Sequence, residues 1–325
     1  MPAPSLQTLQ KLAADTGHQT DTLEKVLRLL DLLQEVADDT ALAGNLALKG
    51  GTALNVFYFN LDRLSVDIDL NFVGALARDD MLAQREGLEA AMGRILAAGG
   101  YQVRRQPTEH AGGKWIATYS SALGGRGTLE IDINFMMRSP LFGVAKMDSV
   151  QFGDRQAKGV FVVDRHEVIA GKLVALLDRR AARDLFDAER IFGLQDINWK
   201  WVRAAMLAIG TAGRNDWRKA SAASIAADRH ELKQKLAICL PRGRFGDDAA
   251  IDAWIAQTVT LCQQRVGPLI DYTKDERAFL DGVLDHGEVK ADLLDVDPDI
   301  RARIEAMPML RWKCENVQRR KDSGS

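Results

Sequence analysis

Two short stretches, SVDIDLNF (65–72) and LEIDINF (129–135), constrain this chain more than any other part of it. Residues two apart on a strand share a face. Asp67 and Asp69 therefore point one way, while Ile68 and Leu70 point the other. The second stretch repeats the pattern, with Glu130, Asp132 and Asn134 opposite Ile131 and Ile133. Strands of this kind predict a sheet with one buried face and one open, acid-lined face.

An acid on an alternating strand is usually just solvated. Two carboxylates this close repel and raise one another's pKa unless a cation lies between them. Hard oxygen donors at this spacing suit Mg²⁺, which prefers carboxylates and substrate phosphates to nitrogen or sulfur. If the two strands pair, Asp132 can join Asp67 and Asp69 as a third metal ligand, while Glu130 caps or supports its strand.

The turn before the first acidic strand fits the same chemistry. In KGGTALNVFYF (49–59), Gly50 and Gly51 let backbone approach a ligand closely. Thr52 opens a helix whose free N–H groups favour an anion. Lys49 and Arg63 flank the turn with positive charge, and Ser65 completes the candidate nucleotide-binding group. Glycine turn, helix start and paired acids together describe a nucleoside triphosphate with its magnesium, the setting for in-line displacement at phosphorus.

A third block, HEVIAGKLVALLDRRAARDLFDAERIF (166–192), is helical in pattern. On one continuous helix Lys172, Leu176, Arg179, Arg183 and Asp187 share a stripe and Asp184 lies off it; a break near Arg180 changes these angles. Lys172 is placed to neutralise outer phosphates. Arg179 or Arg183 does the same or pairs with Asp187. Each element has a plainer reading, a tight turn or a surface ion pair. Their conjunction favours phosphoryl transfer.

Around these blocks the pattern predicts a mixed α/β half followed by an all-helical half, over 1–164 and 165–325. The helix DTLEKVLRLLDLLQEVA is expected to start with a capping box, Asp21 with Glu24. NLALKGG, YQVRR, KWIATYS, TLEIDINF and GVFVV read as strands, and 79–98 as a helix closed by Gly99-Gly100. Helices are then expected over 166–193, 199–209, 217–238, 248–266, 275–284 and 299–306.

Charge is blocked rather than biased. The chain of 325 residues carries a formal charge of −2. From Trp199 to Arg244 there are ten Lys/Arg against three Asp/Glu, and from Asp247 to Met309 fourteen acids against six bases. Arg311, Lys313, Arg319, Arg320 and Lys321 make the tail basic again. Such blocks are either solvated helix faces or a basic surface for a phosphate-rich partner. Three cysteines without CxxC spacing and five histidines without HExxH argue against a disulfide framework or a zinc site. No secretory leader or apolar span stands out, so a cytoplasmic protein with no membrane association is expected.

Through LKGGTAL, RLSVDIDL, LEIDINF, AGKLVALLDRRAARDLFD and MPMLRWKCENV the sequence resembles the AbiEii/AbiGii toxin family, a branch of the DNA polymerase β-like nucleotidyltransferase superfamily. The resemblance spans about 40–318 and is least diagnostic over 195–245. It implies an α+β fold: a small nucleotidyltransferase-like mixed sheet flanked by helices, then a helical domain completing the active-site cleft. It implies transfer of a nucleoside monophosphate from an NTP with Mg²⁺, in a toxin of a toxin–antitoxin or phage-defence system neutralised by a cognate antitoxin. Some members of the family modify tRNA, so an RNA acceptor, tRNA foremost, is expected. Gly50, Gly51 and Thr52 match the nucleotide-binding turn, in a Gly-Gly-Thr version of the superfamily's Gly-Ser. Asp67 and Asp69 match the metal pair, and Asp132 the third carboxylate, as ligand or base. Lys172 matches the lysine motif, and Arg183, Asp184 and Asp187 the RDxxD block, which leaves open which of the two acids acts directly. The competing readings are a transferase for a small, aminoglycoside-type acceptor and a non-catalytic protein that senses nucleotide or binds an antitoxin.

Overall fold

The computed structural model describes residues 3–108 and 112–323. The chain divides into two compact units: residues 1–138, 144–163 and 236–244 form the first, and 139–143, 164–235 and 245–325 the second.

The first unit opens with α1 (Leu6–Thr16), capped by the Ser5 hydroxyl, and α2 (Thr20–Asp38). Strand β1 (Leu46–Lys49) runs into a short helix α3 (Gly50–Ala53) extended by a wider turn to Tyr58. Strand β2 (Asp67–Phe72), helix α4 (Arg78–Ala98) and strands β3 (Gln102–Thr108), β4 (Gly112–Ser120) and β5 (Arg126–Asn134) follow. Strands β6 (Val144–Met147) and β7 (Val160–Val163) complete a seven-stranded sheet in the order β3-β4-β5-β2-β1-β7-β6. The sheet is mixed, with β2 parallel to β5 and β1 parallel to β7.

The alternation read from the sequence decides which face is buried. Leu48, Ile68, Leu70, Trp115, Ala117, Leu129, Ile131 and Ile133 are all buried. Leu23, Val26, Leu27, Leu30 and Leu33 of α2 are buried with them, and α2 packs on β5 and β7. Burying side chains of this size is the main favourable term in folding.

The capping box expected at Asp21 and Glu24 does not form. The N-cap is Gln19, and Asp21 lies within the first turn. Glu24 is instead buried, accepting from Arg28 Nε at 3.0 Å, Ser121 Oγ at 2.6 Å and the Ala122 amide at 3.1 Å. It ties α2 to the β4–β5 turn, and a buried carboxylate with that many donors has no reason to fold back on its own helix.

The second unit holds α5 (Arg165–Asp178), α6 (Ala182–Ile191), α7 (Trp199–Ala212), a single turn α8 (Arg229–Glu231), α9 (Asp248–Val266), α10 (Lys274–Asp281), α11 (Pro298–Ala306) and α12 (Pro308–Ser323). Two expectations fail here. The helix over 166–193 breaks at Arg179, whose backbone is extended. The helix over 217–238 is replaced by short turns, because Asp216, Ser221 and Asp228 each accept from an amide two or three residues on. Such local bonds compete directly with a helix. Trp217 is buried against Gly210, where a Cβ would come within 2.2 Å of the indole.

Residues 236–244 belong with the first unit through backbone and side-chain bonds. Leu64 donates to the Cys239 carbonyl at 2.8 Å, Thr22 Oγ1 to Ile238 at 3.2 Å, and Arg242 to Gly17 at 2.8 Å.

Candidate active site

The open face of the sheet collects the acids. Asp69 of β2 stands in register beside Lys49 of β1 on one side and Asp132 of β5 on the other; Lys114 of β4 is next in the same row. The neighbouring row sets Asp67 beside Glu130. The pairing of the two acidic strands therefore brings Asp132 alongside Asp69.

At the end of β1 the chain turns through Gly50, whose φ is +73°. A Cβ there would lie 2.5 Å from Asp69 Oδ2. Backbone geometry and the approaching carboxylate both require glycine. Thr52 is buried and donates its hydroxyl to the Asp67 carbonyl; Ser65 Oγ lies 2.9 Å away. These two hydroxyls lock the turn to the start of β2, so they position the acids rather than face outward.

Asp132 is exposed at its rim, yet its carboxyl is raised above the usual carboxylate range, first by partial loss of hydration and then by the Asp69 charge. Lys49 and Lys114 pull the other way. Lys114 Nζ is 2.5 Å from Glu130 Oε2, and its amine is raised chiefly by that bond. Reading motifs alone overlooks Lys114; its place in the KWIATYS alternation, opposite Trp115, is the clue that could have revealed it.

Arg63 is 2% exposed and donates to the Leu64 carbonyl at 2.9 Å. Among the described residues no group of three acid, histidine or cysteine side chains converges as a ready-made metal site. Asp67, Asp69 and Asp132 share a face without closing on one point, since strand-neighbour carboxylates repel. The donor set still fits magnesium, which takes one or two carboxylates and completes its octahedron with phosphate and water oxygens.

A second cluster lies within the helical unit. Lys172 Nζ is 2.8 Å from Asp184 Oδ1 and 2.9 Å from Asp187 Oδ2, all three side chains being buried. Arg179 closes on Asp184 from its exposed side, Nε to Oδ2 at 2.5 Å and Nη2 to Oδ1 at 3.1 Å. Burial raises the Asp184 carboxyl, but Lys172 and Arg179 outweigh it and hold the group below the usual range. The break at Arg179 is what brings Asp184 onto Lys172. Arg183 sits half-buried in the first turn of α6.

Part of the basic block, read from the sequence as either a solvated face or a phosphate-binding surface, pairs with the acidic block that follows it. Lys200 meets Asp295 at 2.8 Å, Arg203 meets Glu276 at 2.5 Å, and Arg218 meets Asp281 at 2.9 Å and Asp285 at 2.5 Å. Arg229 and Lys233 both reach Asp248, at 3.0 and 2.5 Å.

A mixed sheet whose open face carries Gly50 against Asp69, with Asp132 in register beside it, defines a nucleotidyltransferase-type protein. Residues 31–266 match the family described as nucleotidyl transferase AbiEii toxin, type IV toxin–antitoxin system, and the chain belongs to that family. It is therefore a nucleotidyltransferase toxin, with an NTP substrate and an antitoxin partner. Among solved structures it is similar to MenT4, a nucleotidyltransferase toxin from Mycobacterium tuberculosis H37Rv, at 16% identity and a TM-score of 0.56, covering 96% of this chain and 97% of that one. A weaker likeness is to JHP933 from Helicobacter pylori, at 18% identity and a TM-score of 0.45, covering 76% and 94%. No curated protein matches. The α+β architecture with a helical C-terminal region is the fold expected from the sequence. Among the described residues no helix is long and apolar enough to cross a membrane.

Proposed function

We propose that this toxin transfers a nucleoside monophosphate from an NTP to an RNA acceptor, tRNA foremost, using Mg²⁺. The observation that supports this most is the register of Asp69 with Asp132 beside a glycine turn shaped around Asp69. Asp67 and Asp69 would hold magnesium, which supplies charge neutralisation to the triphosphate. Gly50, Gly51 and Thr52 offer backbone to the phosphates, with Lys49 beside them. The acceptor hydroxyl oxygen attacks the α-phosphorus, the bond to pyrophosphate breaks, and the hydroxyl proton passes to Asp132. A raised carboxyl is a better base than an ordinary one, which suits that role.

Lys172 is proposed to serve the nucleotide's charge, held ready by Asp184 and Asp187, with Arg183 supporting that group. The setting proposed is the cytoplasm, where NTPs and RNA meet, in a locus that serves phage defence. One observation favours a smaller acceptor instead: Lys200, Arg203, Arg218, Arg229 and Lys233 already have carboxylate partners. The deciding experiment incubates the protein with total RNA, Mg²⁺ and each α-³²P-labelled NTP in turn. Label in a tRNA-sized band supports the proposal. Pyrophosphate release with a small aminoglycoside and no label in RNA overturns the acceptor.

A further inference from the structure

One cation on the open face of the sheet lies outside the chemistry of the donor. Read across four strands of the first unit, the row runs Lys49, Asp69, Asp132, Lys114: two acids between two lysines. Its two ends are not alike. At the Lys49 end the chain turns through Gly50, which closes on Asp69 and offers backbone to the donor's phosphates. Lys114 stands at the other end, beyond Asp132 and two strand spacings from Asp69, roughly 10 Å. Its neighbours on β4 fix its direction. Trp115 and Ala117 are buried on the opposite face, so Lys114 rises from the face that holds the acids. Asp132 is directly across the ladder from it, yet the ammonium leans along the strand to Glu130, at 2.5 Å. Glu130 thereby draws it away from Asp132 and leaves that carboxyl to the reaction. With side chains 35% and 47% exposed, this pair contributes little to stability and exchanges readily with another anion.

We propose that Lys114 binds the acceptor: its ammonium leaves Glu130 for the phosphodiester next to the attacking hydroxyl. This inference rests on the RNA acceptor proposed above and names the contact that selects it. The order of the row supplies the argument. With the NTP at Gly50 and the acceptor proton passing to Asp132, the acceptor sugar lies over Asp132 and its chain leaves past Lys114. A lysine ammonium is a point charge with three rotatable donors, suited to a phosphate oxygen reached from a range of directions. A polycationic, aminoglycoside-type acceptor would meet the same ammonium as a repulsion and turn to Glu130 instead. The donor's phosphates are the other source of such an anion, but they belong to the Lys49 end of the row, three strands away.

The test uses the full-length chain and three variants, K114Q, K114R and E130Q, each checked by thermal melting. Transfer is followed as ³²P incorporation from the NTP into a short RNA with a free terminal hydroxyl, and binding by fluorescence anisotropy of the same RNA. K114Q is expected to weaken RNA binding and raise KM for RNA about tenfold, with KM for NTP unchanged. K114R should keep most of the affinity, and E130Q should bind RNA as tightly as wild type or tighter. K114Q should also flatten the dependence of log K on log salt by roughly 0.7. The decisive comparison places one uncharged methylphosphonate at the last linkage of the RNA. It should cost wild type about tenfold and K114Q little, because the contact it removes is already gone. Equal losses in the two proteins overturn the inference, even if the protein labels RNA well. A rise in KM for NTP rather than for RNA gives Lys114 to the donor and overturns it too. Transfer by the wild type to an aminoglycoside alone, with E130Q the damaging variant, removes the RNA reading and this inference together.

Discussion

Gly50 is the residue on which the site turns, because it answers to two constraints at once. Its positive φ costs an L-residue about 1–2 kcal/mol, and any Cβ would strike the Asp69 carboxylate. Gly50→Ala is therefore expected to lower activity by displacing Asp69, with a smaller fall in melting temperature; wild-type kinetics in that variant would refute the arrangement. Asp67→Ala should abolish NMP transfer and leave the fold intact, as read by labelled-NTP incorporation and circular dichroism. Asp132→Asn separates ligand from base. If Asp132 takes the acceptor proton, the rate should drop roughly a hundredfold or more. The acid limb of the wild-type pH profile should also lie above that of an ordinary carboxylate, because burial and Asp69 raise the group. A profile flat down to the ordinary carboxylate range would assign the proton elsewhere.

At the scale of elements, Glu24 shows how tertiary partners override a local motif. Sequence alone makes it the third residue of a capping box; three donors from Arg28, Ser121 and Ala122 claim it instead. Arg28 also lies 4.0 Å over the Tyr119 ring. Glu24→Ala strands a buried guanidinium and is expected to cost about 3 kcal/mol of stability, measurable by urea denaturation. The strands were readable because alternation is a local property: Ile68, Leu70, Ile131 and Ile133 announce a buried face without knowledge of their neighbours. That β2 and β5 lie in register could only be posed as a condition. The break between α5 and α6 was harder, since no glycine or proline marks it and Arg179 is an ordinary helix former. It goes with the closure of Lys172 on Asp184, a pairing that helical periodicity does not announce. Strand β6, helix α1 and helix α12 carry no such signal, being short or weakly patterned, and a single lysine on a strand, as at Lys114, is commonplace.

At the scale of the molecule, five cations of the basic block pair with acids of the block that follows it, so net charge alone says little about partners. One buried group still leaves a pH signature. Glu167 accepts from the Leu141 and Phe142 amides, yet burial pushes its carboxyl up to about 7. Its folded pKa lies above its unfolded value. The stability it contributes is thus complete below about 4.5 and is lost as pH rises to about 7. Glu167→Gln should flatten that decline; urea titrations at pH 5 and pH 8 would then give more similar stabilities than in wild type. An unchanged pH slope would place the titration elsewhere.

The route of the chain between its units has a consequence for inheritance. Residues 236–244 return to the first unit after the second has begun, and 139–143 join the second before the first is finished. A fragment ending at Val163 would leave Leu64, Thr22 and Gly17 without their bonding partners from that returning segment. Neither half can be exchanged, duplicated or lost as a cassette, so recombination between relatives would have to pass the whole gene on intact.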